Sequence, residues 1–195
     1  MIWSDGKTRC PWANPQNPLY IRYHDEEWGV PVHDDQKLFE MLILEGFQAG
    51  LSWECILNKR EAFRRAFDGF DPQKIAAYDA EKCAALMQDA GIVRNRLKIA
   101  AAVNNAKIFL AIQAEWGSFS EYLWHFTGGN VLRDDSGIPR ATSPLSDTVS
   151  ADLRARGMKF VGSTTIYSYL QAVGVIESHE PGCFLSGTCL SGGGA

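Results

Sequence analysis

Apolar positions recur every three or four residues over most of this chain, and that period predicts helices. Leu38, Phe39, Leu42 and Ile43 form one face of a helix that Asp34 or Asp35 can cap. Gly46 and Gly50 flank a break, after which Ser52 can cap a helix running through Ile56, Leu57 and Phe63 to Phe67. Asp71-Pro72 pairs a cap with a first-turn proline, and Asp79 opens a further helix ending at Ala90-Gly91. A long helix is predicted from Arg94 to about Trp116, with Ile99, Val103, Ala106 and Leu110 as its stripe. Shorter helices follow over 119–126, 146–156 and 163–173. Residues 1–33 are broken by prolines and read as irregular, and 128–144 reads as a long loop. No stretch alternates as a strand does. The expectation is an all-α chain: one helical domain over 1–185 and a flexible Gly/Ser-rich tail over 186–195.

With 46% hydrophobic residues the chain can bury a real core. No window approaches the ~20 apolar residues of a membrane span, and residues 1–10 hold no apolar run of signal-peptide length. The five cysteines (Cys10, Cys55, Cys83, Cys183, Cys189) form no disulfide framework. A soluble, monomeric, cytoplasmic protein without a membrane partner is expected. The net charge of −4 counts against a broad basic surface, so any nucleic-acid function needs a local basic patch.

Three stretches carry candidate chemistry. Cys10 and His24 lie in the irregular N-terminal segment; His179 and Cys183 lie near the other end at i, i+4, a spacing that on a helix shares one face. Two cysteines and two histidines suit tetrahedral zinc with no open position, a structural role. Spacing alone favours unrelated buried Cys and His over a metal site. Second, Glu45 closes an apolar helix, Leu51 follows Gly50 in a tight turn, and Trp53 opens the next helix. Trp12, Tyr20, Tyr23 and Trp28 are dense upstream. One carboxylate among aromatic walls suits a flat, cationic ligand that donates hydrogen bonds; the bland alternative is core aromatics with a capping or ion-paired Glu45. Third, Gly91 sits between two predicted helices, allows φ > 0, and is followed by Arg94, Arg96 and Lys98. Such a turn can hold a phosphate and supplies the missing basic patch, although an ordinary helix–helix turn has the same composition. Gly162-Ser163-Thr164-Thr165 is a second possible phosphate contact, equally explained as an N-cap.

Taken together, Arg9-Cys10-Pro11-Trp12, Tyr20 through Pro31, Glu45 through Trp53, Asp89-Ala90-Gly91-Ile92, Lys159-Phe160-Val161-Gly162, and His179 with Cys183 resemble the 3-methyladenine DNA glycosylase I family of the helix–hairpin–helix superfamily. They run in family order over about residues 9–183. The resemblance implies a helix–hairpin–helix glycosylase fold whose N- and C-terminal segments are tied by a structural zinc on Cys10, His24, His179 and Cys183. It implies that Glu45 reads the methylated base, that Tyr23 and Trp53 line its pocket, and that Trp12, Tyr20 and Trp28 fall in matched segments. It also implies that Leu51, next to Gly50, enters the DNA stack, and that the Gly91 hairpin grips backbone phosphate beside Arg94, Arg96 and Lys98. The implied activity is monofunctional hydrolysis of the N-glycosidic bond in double-stranded DNA, with base flipping, free 3-methyladenine as product and no lyase step. Asp134, Asp135 and Asp147 are not assigned as catalytic, because this family looks to lack the post-hairpin Asp of its superfamily. A non-catalytic, zinc-stabilised DNA-damage-binding protein is the alternative; a zinc hydrolase and a plain helical interaction module are weaker rivals.

Overall fold

Every residue from 38 to 47 is buried, so the helix that carries them, α2 (Asp35–Gln48), has no solvent face and runs through the middle of the molecule. The computed structural model describes residue 3 and residues 5–134 and 140–187. Ahead of α2 lies α1 (Pro18–Glu26). After it come α3 (Trp53–Ala66), a single 3-10 turn (Asp68–Phe70), α4 (Pro72–Ala76), α5 (Ala80–Leu86), α6 (Arg96–Trp116), α7 (Phe119–His125), α8 (Pro144–Ala155) and α9 (Ser163–Ala172). Helices α3, α6, α7 and α9 all pack on α2. Its deep face meets Phe63, Phe67 and Phe109. The fold is helical, as expected.

Several elements differ from the sequence reading. Residues 18–26 are helical: Asn17 caps α1 by accepting from the Leu19 amide at 3.1 Å, and Pro18 occupies the first turn. The surrounding prolines hid that signal. Gly46 lies inside α2 rather than at a break, where the Cβ of Phe160 comes within 3.5 Å of where its own Cβ would stand. Asp34 is the α2 cap, while Asp35 accepts from the Phe119 and Ser120 amides at the start of α7. The buried face of α6 runs through Ile99, Ala102, Ala106, Phe109 and Ile112, with Val103 and Leu110 only half-buried. Two strands of two residues, β1 (Leu132–Arg133) and β2 (Ile176–Glu177), pair in parallel, too short to show alternation in sequence. His179 and Cys183 lie in a turn with Pro181 between them, not on a helix. Of the tail, Ser186 still donates to the Cys183 carbonyl at 2.9 Å; residues from 188 on, Cys189 among them, and Asp135 lie outside the described residues.

The segment between α1 and α2 is laid against the end of α9. The Gly29 and Val32 amides donate to the Gln171 and Val173 carbonyls at 3.1 Å each. Gly174 is in the left-handed region (φ +72), and a Cβ there would stand 2.4 Å from Pro31 N and Val30 C. Backbone cannot retreat as a side chain can, so Gly174→Ala should cost about 2 kcal/mol or more, read as a lower denaturant midpoint. Gly117, also left-handed (φ +88) but with nothing near its Cβ position, isolates the conformational part. Gly117→Ala should cost only about 1 kcal/mol. Equal losses at the two sites would show that the backbone contact contributes nothing.

Candidate functional site

Glu45 lies near the end of α2 and is 4% exposed. Its carboxyl makes no hydrogen bond and no ion pair among the described residues. Burial alone pushes it from 4.5 up to about 8. Glu40, on the same helix, shows the contrast: Arg60 and Arg64 hold it through their Nε atoms at 2.6 and 2.9 Å. Glu40 is built into the fold, while Glu45 is left for something else.

Two rings stand beside it. Tyr23 from α1 and Trp53 from the first turn of α3 are both buried, with centroids 5.2 Å apart. Burial, and then nearby negative charge including that of Glu45, raises the Tyr23 and Tyr20 phenols, so both remain neutral. The indole Nε1 of Trp53 is buried without an acceptor among the described residues. An unpartnered carboxyl and an unpartnered N–H in one aromatic neighbourhood are costly unless a ligand meets them. Trp12 lies 5.6 Å from Tyr20 and 4.8 Å from Trp28, and Trp28 stands edge-on to His179 at 4.8 Å. Trp12 and Trp28 therefore fill the wall between this pocket and the Cys/His residues, and Trp28 sits on the far side of that wall.

Beyond α2 the chain turns sharply. Ala49 (φ −45, ψ 115) and Gly50 (φ +78) form a type II turn, with the Leu51 amide donating to the Gln48 carbonyl at 2.6 Å. Ser52 then caps α3. The turn presents Leu51 at 41% exposure, an apolar side chain offered to solvent at the pocket's edge of α3.

The hairpin between α5 and α6 departs from expectation in two ways. Gly91 is not left-handed; glycine is needed because a Cβ would stand 2.9 Å from Asp89 Oδ1 and 3.0 Å from Ala62 Cβ. Its amide is already taken by Asp89 Oδ1 at 2.7 Å. The amides open to an anion are the next ones, at Val93 and Arg94, which make no hydrogen bond among the described residues. Arg94 and Arg96 are exposed beside them. Lys98 is not part of that surface. It is 7% exposed, and its ammonium donates to the Phe47 and Ala49 carbonyls at 2.8 and 2.6 Å, capping α2 from outside.

At the chain ends, ligand atoms of Cys10, His24 and Cys183 all lie within 4.8 Å of one another. His179 adjoins them, its ring centroid 5.4 Å from that of His24. His24 Nδ1 is bound to Asp25 Oδ1 at 2.8 Å and His179 Nδ1 to Glu177 Oε1 at 3.1 Å, which turns each Nε2 toward the cluster, where that of His24 meets the Cys10 amide at 3.3 Å and Cys183 Sγ at 3.5 Å. His179 Nε2 is buried with no hydrogen-bond partner among the described residues. Burial lowers both imidazoles toward the neutral, ligating form and pushes the Cys10 thiol up to about 12. These residues could hold a metal ion, whose charge would make the thiols thiolates. Arg9 clamps Asp25 at 2.7 and 2.6 Å, and the Phe184 amide meets the Thr8 carbonyl at 2.8 Å. Asp25 and Glu177, one and two residues from a histidine, were missed in the sequence; their closeness to His24 and His179 was the available signal.

The sequence model of the family described as methyladenine glycosylase matches residues 12–186. The DNA-3-methyladenine glycosylase 1 of Escherichia coli (strain K12) is 48% identical over 182 residues, which cover 90% of this chain and 95% of that protein. A crystal structure of 3-methyladenine DNA glycosylase I superposes with a TM-score of 0.86 at 46% identity, covering 91% of this chain and 98% of that one. A variant of 3-methyladenine DNA glycosylase I solved in complex with 3-methyladenine superposes with a TM-score of 0.83 at 37% identity, covering 86% and 92%.

The buried carboxyl has a consequence for stability. Because the folded pKa of Glu45 (about 8) exceeds the ordinary 4.5, its contribution is greatest below pH 4.5 and is lost as pH rises to about 8. Glu45→Gln cannot ionise, so it should gain on the wild type across that window, by about 2–4 kcal/mol at its upper end. Denaturant melts of both proteins at several pH values check this. A difference that stays flat would mean that Glu45 is ionised and partnered in the folded protein.

Proposed function

The chain belongs to the methyladenine glycosylase family, and from that premise we propose that it hydrolyses the N-glycosidic bond of 3-methyladenine in alkylated double-stranded DNA. It is an enzyme of the hydrolytic DNA glycosylase class, and the process it serves is base-excision repair. The observation that carries the reading is the Glu45 carboxyl, buried beside Tyr23 and Trp53 with no partner among the described residues.

An adenine methylated at N3 is cationic while it remains in DNA. Entering the pocket, it meets a carboxyl that is protonated at neutral pH for want of a countercharge, and its own charge draws that carboxyl into the ionised form. Each unit by which the Glu45 pKa falls returns about 1.4 kcal/mol of binding that a neutral adenine cannot claim. Tyr23 and Trp53 supply flat faces for stacking, and Tyr20 closes the edge. Arg94, Arg96 and the free amides at Val93 and Arg94 hold the backbone, so a chain of net charge −4 still grips DNA locally. Leu51 on its Gly50 turn fills the gap left by the flipped nucleotide, a step that costs a few kcal/mol.

Water then attacks the anomeric carbon as the bond to the base breaks. The electron pair goes to the base, which leaves as neutral 3-methyladenine, and the proton that the water gives up passes to solvent. The base departs without prior protonation because it already carries the positive charge. Glu45, ionised in the complex, reads the base and orients the water. Lys98, with its ammonium spent on two carbonyls, does not act as a Schiff-base nucleophile, so an abasic site remains.

The Cys10, His24, His179 and Cys183 set fits zinc. Cys10, His24 and Cys183 bring three N and S donors together, His179 beside them would supply a fourth through its unpartnered Nε2, and carboxylates already orient both imidazoles. Zinc there would join the two ends of the chain and take no part in the chemistry.

Chromatography of bases freed from methylated DNA tests the activity. Wild type should release 3-methyladenine, and Glu45→Ala, still folded, should be slower by about 100-fold. Tight binding of methylated DNA without release would instead make this a damage-binding protein. Metal analysis should find one zinc per chain. Chelation or Cys183→Ala should lower the melting temperature while leaving α2 and α6 to unfold last, followed by hydrogen exchange; a metal-free protein that melts unchanged would remove the zinc assignment.

A further inference from the structure

The turn that carries Leu51 and the hairpin that carries the phosphate grip lie about forty residues apart in sequence, yet two lysines close them into one frame. Lys59 on α3 donates to the hairpin carbonyls of Ala90 and Gly91 at 3.0 and 3.3 Å. Lys98, in the first turn of α6 directly after that hairpin, donates to the carbonyls of Phe47 and Ala49 at 2.8 and 2.6 Å. The circuit is complete: α2, the Gly50–Leu51 turn, α3, Lys59, the hairpin, α6, Lys98, and back to the end of α2. No basic residue lies in the last turn of α2, so Lys98 is the cation at that helix terminus, supplied from another element. It binds the two carbonyls that bracket Gln48, whose own carbonyl accepts the Leu51 amide.

Resting on the glycosylase reading, we propose that Lys98 is a positioning residue: it fixes the height of Leu51 relative to the anion-binding amides at Val93 and Arg94, so that gripping the backbone and inserting the wedge become one event. Without this tie, the turn at Ala49 and Gly50 is anchored on the α3 side by the Ser52 cap but is loose at the end of α2. The hairpin can then hold phosphate while Leu51 stays out of the stack. Lys98 does not touch the pocket formed by Glu45, Tyr23 and Trp53, so recognition of the base itself is untouched.

The test separates wedge insertion from base recognition. A duplex with 2-aminopurine beside a tetrahydrofuran abasic site reports unstacking by fluorescence, and calorimetry with free 3-methyladenine reports the pocket. Wild type, Lys98→Met, Leu51→Ala and the double variant are compared, each checked for folding by circular dichroism. Lys98→Met should lower the unstacking equilibrium about tenfold, in keeping with loss of charge-assisted bonds, while free-base affinity holds. Because it acts through Leu51, the double variant should be no worse than the poorer single one. Lys98→Gln, which keeps a donor for one carbonyl, should fall between and serves if Lys98→Met does not fold. Wild-type unstacking by folded Lys98→Met or Lys98→Gln, effects that multiply with Leu51→Ala, or an equal fall in free-base affinity would each overturn the proposal. If wild type unstacks the probe yet releases no 3-methyladenine from methylated DNA, the glycosylase reading fails and the positioning role stands.

Discussion

The structure depends on one constraint: α2 is buried on every side, so each polar group it carries must be answered by another element. At its start, Asp35 takes the amides that open α7. In its middle, Glu40 is neutralised by Arg60 and Arg64 from α3. At its end, the carbonyls of Phe47 and Ala49 take the ammonium of Lys98 from α6. These three answers set the places of α3, α6 and α7. The carboxyl of Glu45, unanswered among the described residues, stands out against that accounting, because an unpaired buried acid is destabilising and persists only where something else is gained.

On the proposed reading, charge selectivity would follow from that same burial. In water a carboxylate distinguishes weakly between a cationic and a neutral base, since solvent screens the difference. Where Glu45 sits, the acid must choose between a proton and a cation, and the medium no longer smooths the choice. On the proposed reading little overall positive charge is spent on holding DNA; Arg94 and Arg96 stand exposed at the hairpin beside the amides of Val93 and Arg94.

The pocket and the chain ends are also joined. Tyr23 and His24 are consecutive on α1, one facing Trp53 and the other facing Cys10 and Cys183. Between them the rings of Tyr20, Trp12 and Trp28 are in continuous contact as far as His179. The Arg9–Asp25–His24 chain of hydrogen bonds therefore sets the pose of α1, and with it one wall of the pocket. A cluster that joins the two ends of the chain is thus also a support for the pocket of Glu45, Tyr23 and Trp53.

The sequence by itself determined the helical class, most of the caps and the candidates in each cluster, because capping and the 3.6-residue period act between near neighbours. Ser52, Asp71 and Asp79 cap where their spacing said they would, and Asp34 is the one of the Asp34–Asp35 pair that does. It did not reveal α1, whose cap and first-turn proline are masked among other prolines, nor the β1–β2 pair, which has no pattern to show. The tertiary structure alone decided which charged residues are available. Lys98 reads in sequence like Arg94 and Arg96, but burial against the end of α2 turns it from a surface cation into an internal cap. Glu40 and Glu45 read alike as well, five residues apart on one helix. Whether an arginine from α3 reaches each of them depends on how two helices pack, a distance that no local sequence pattern encodes.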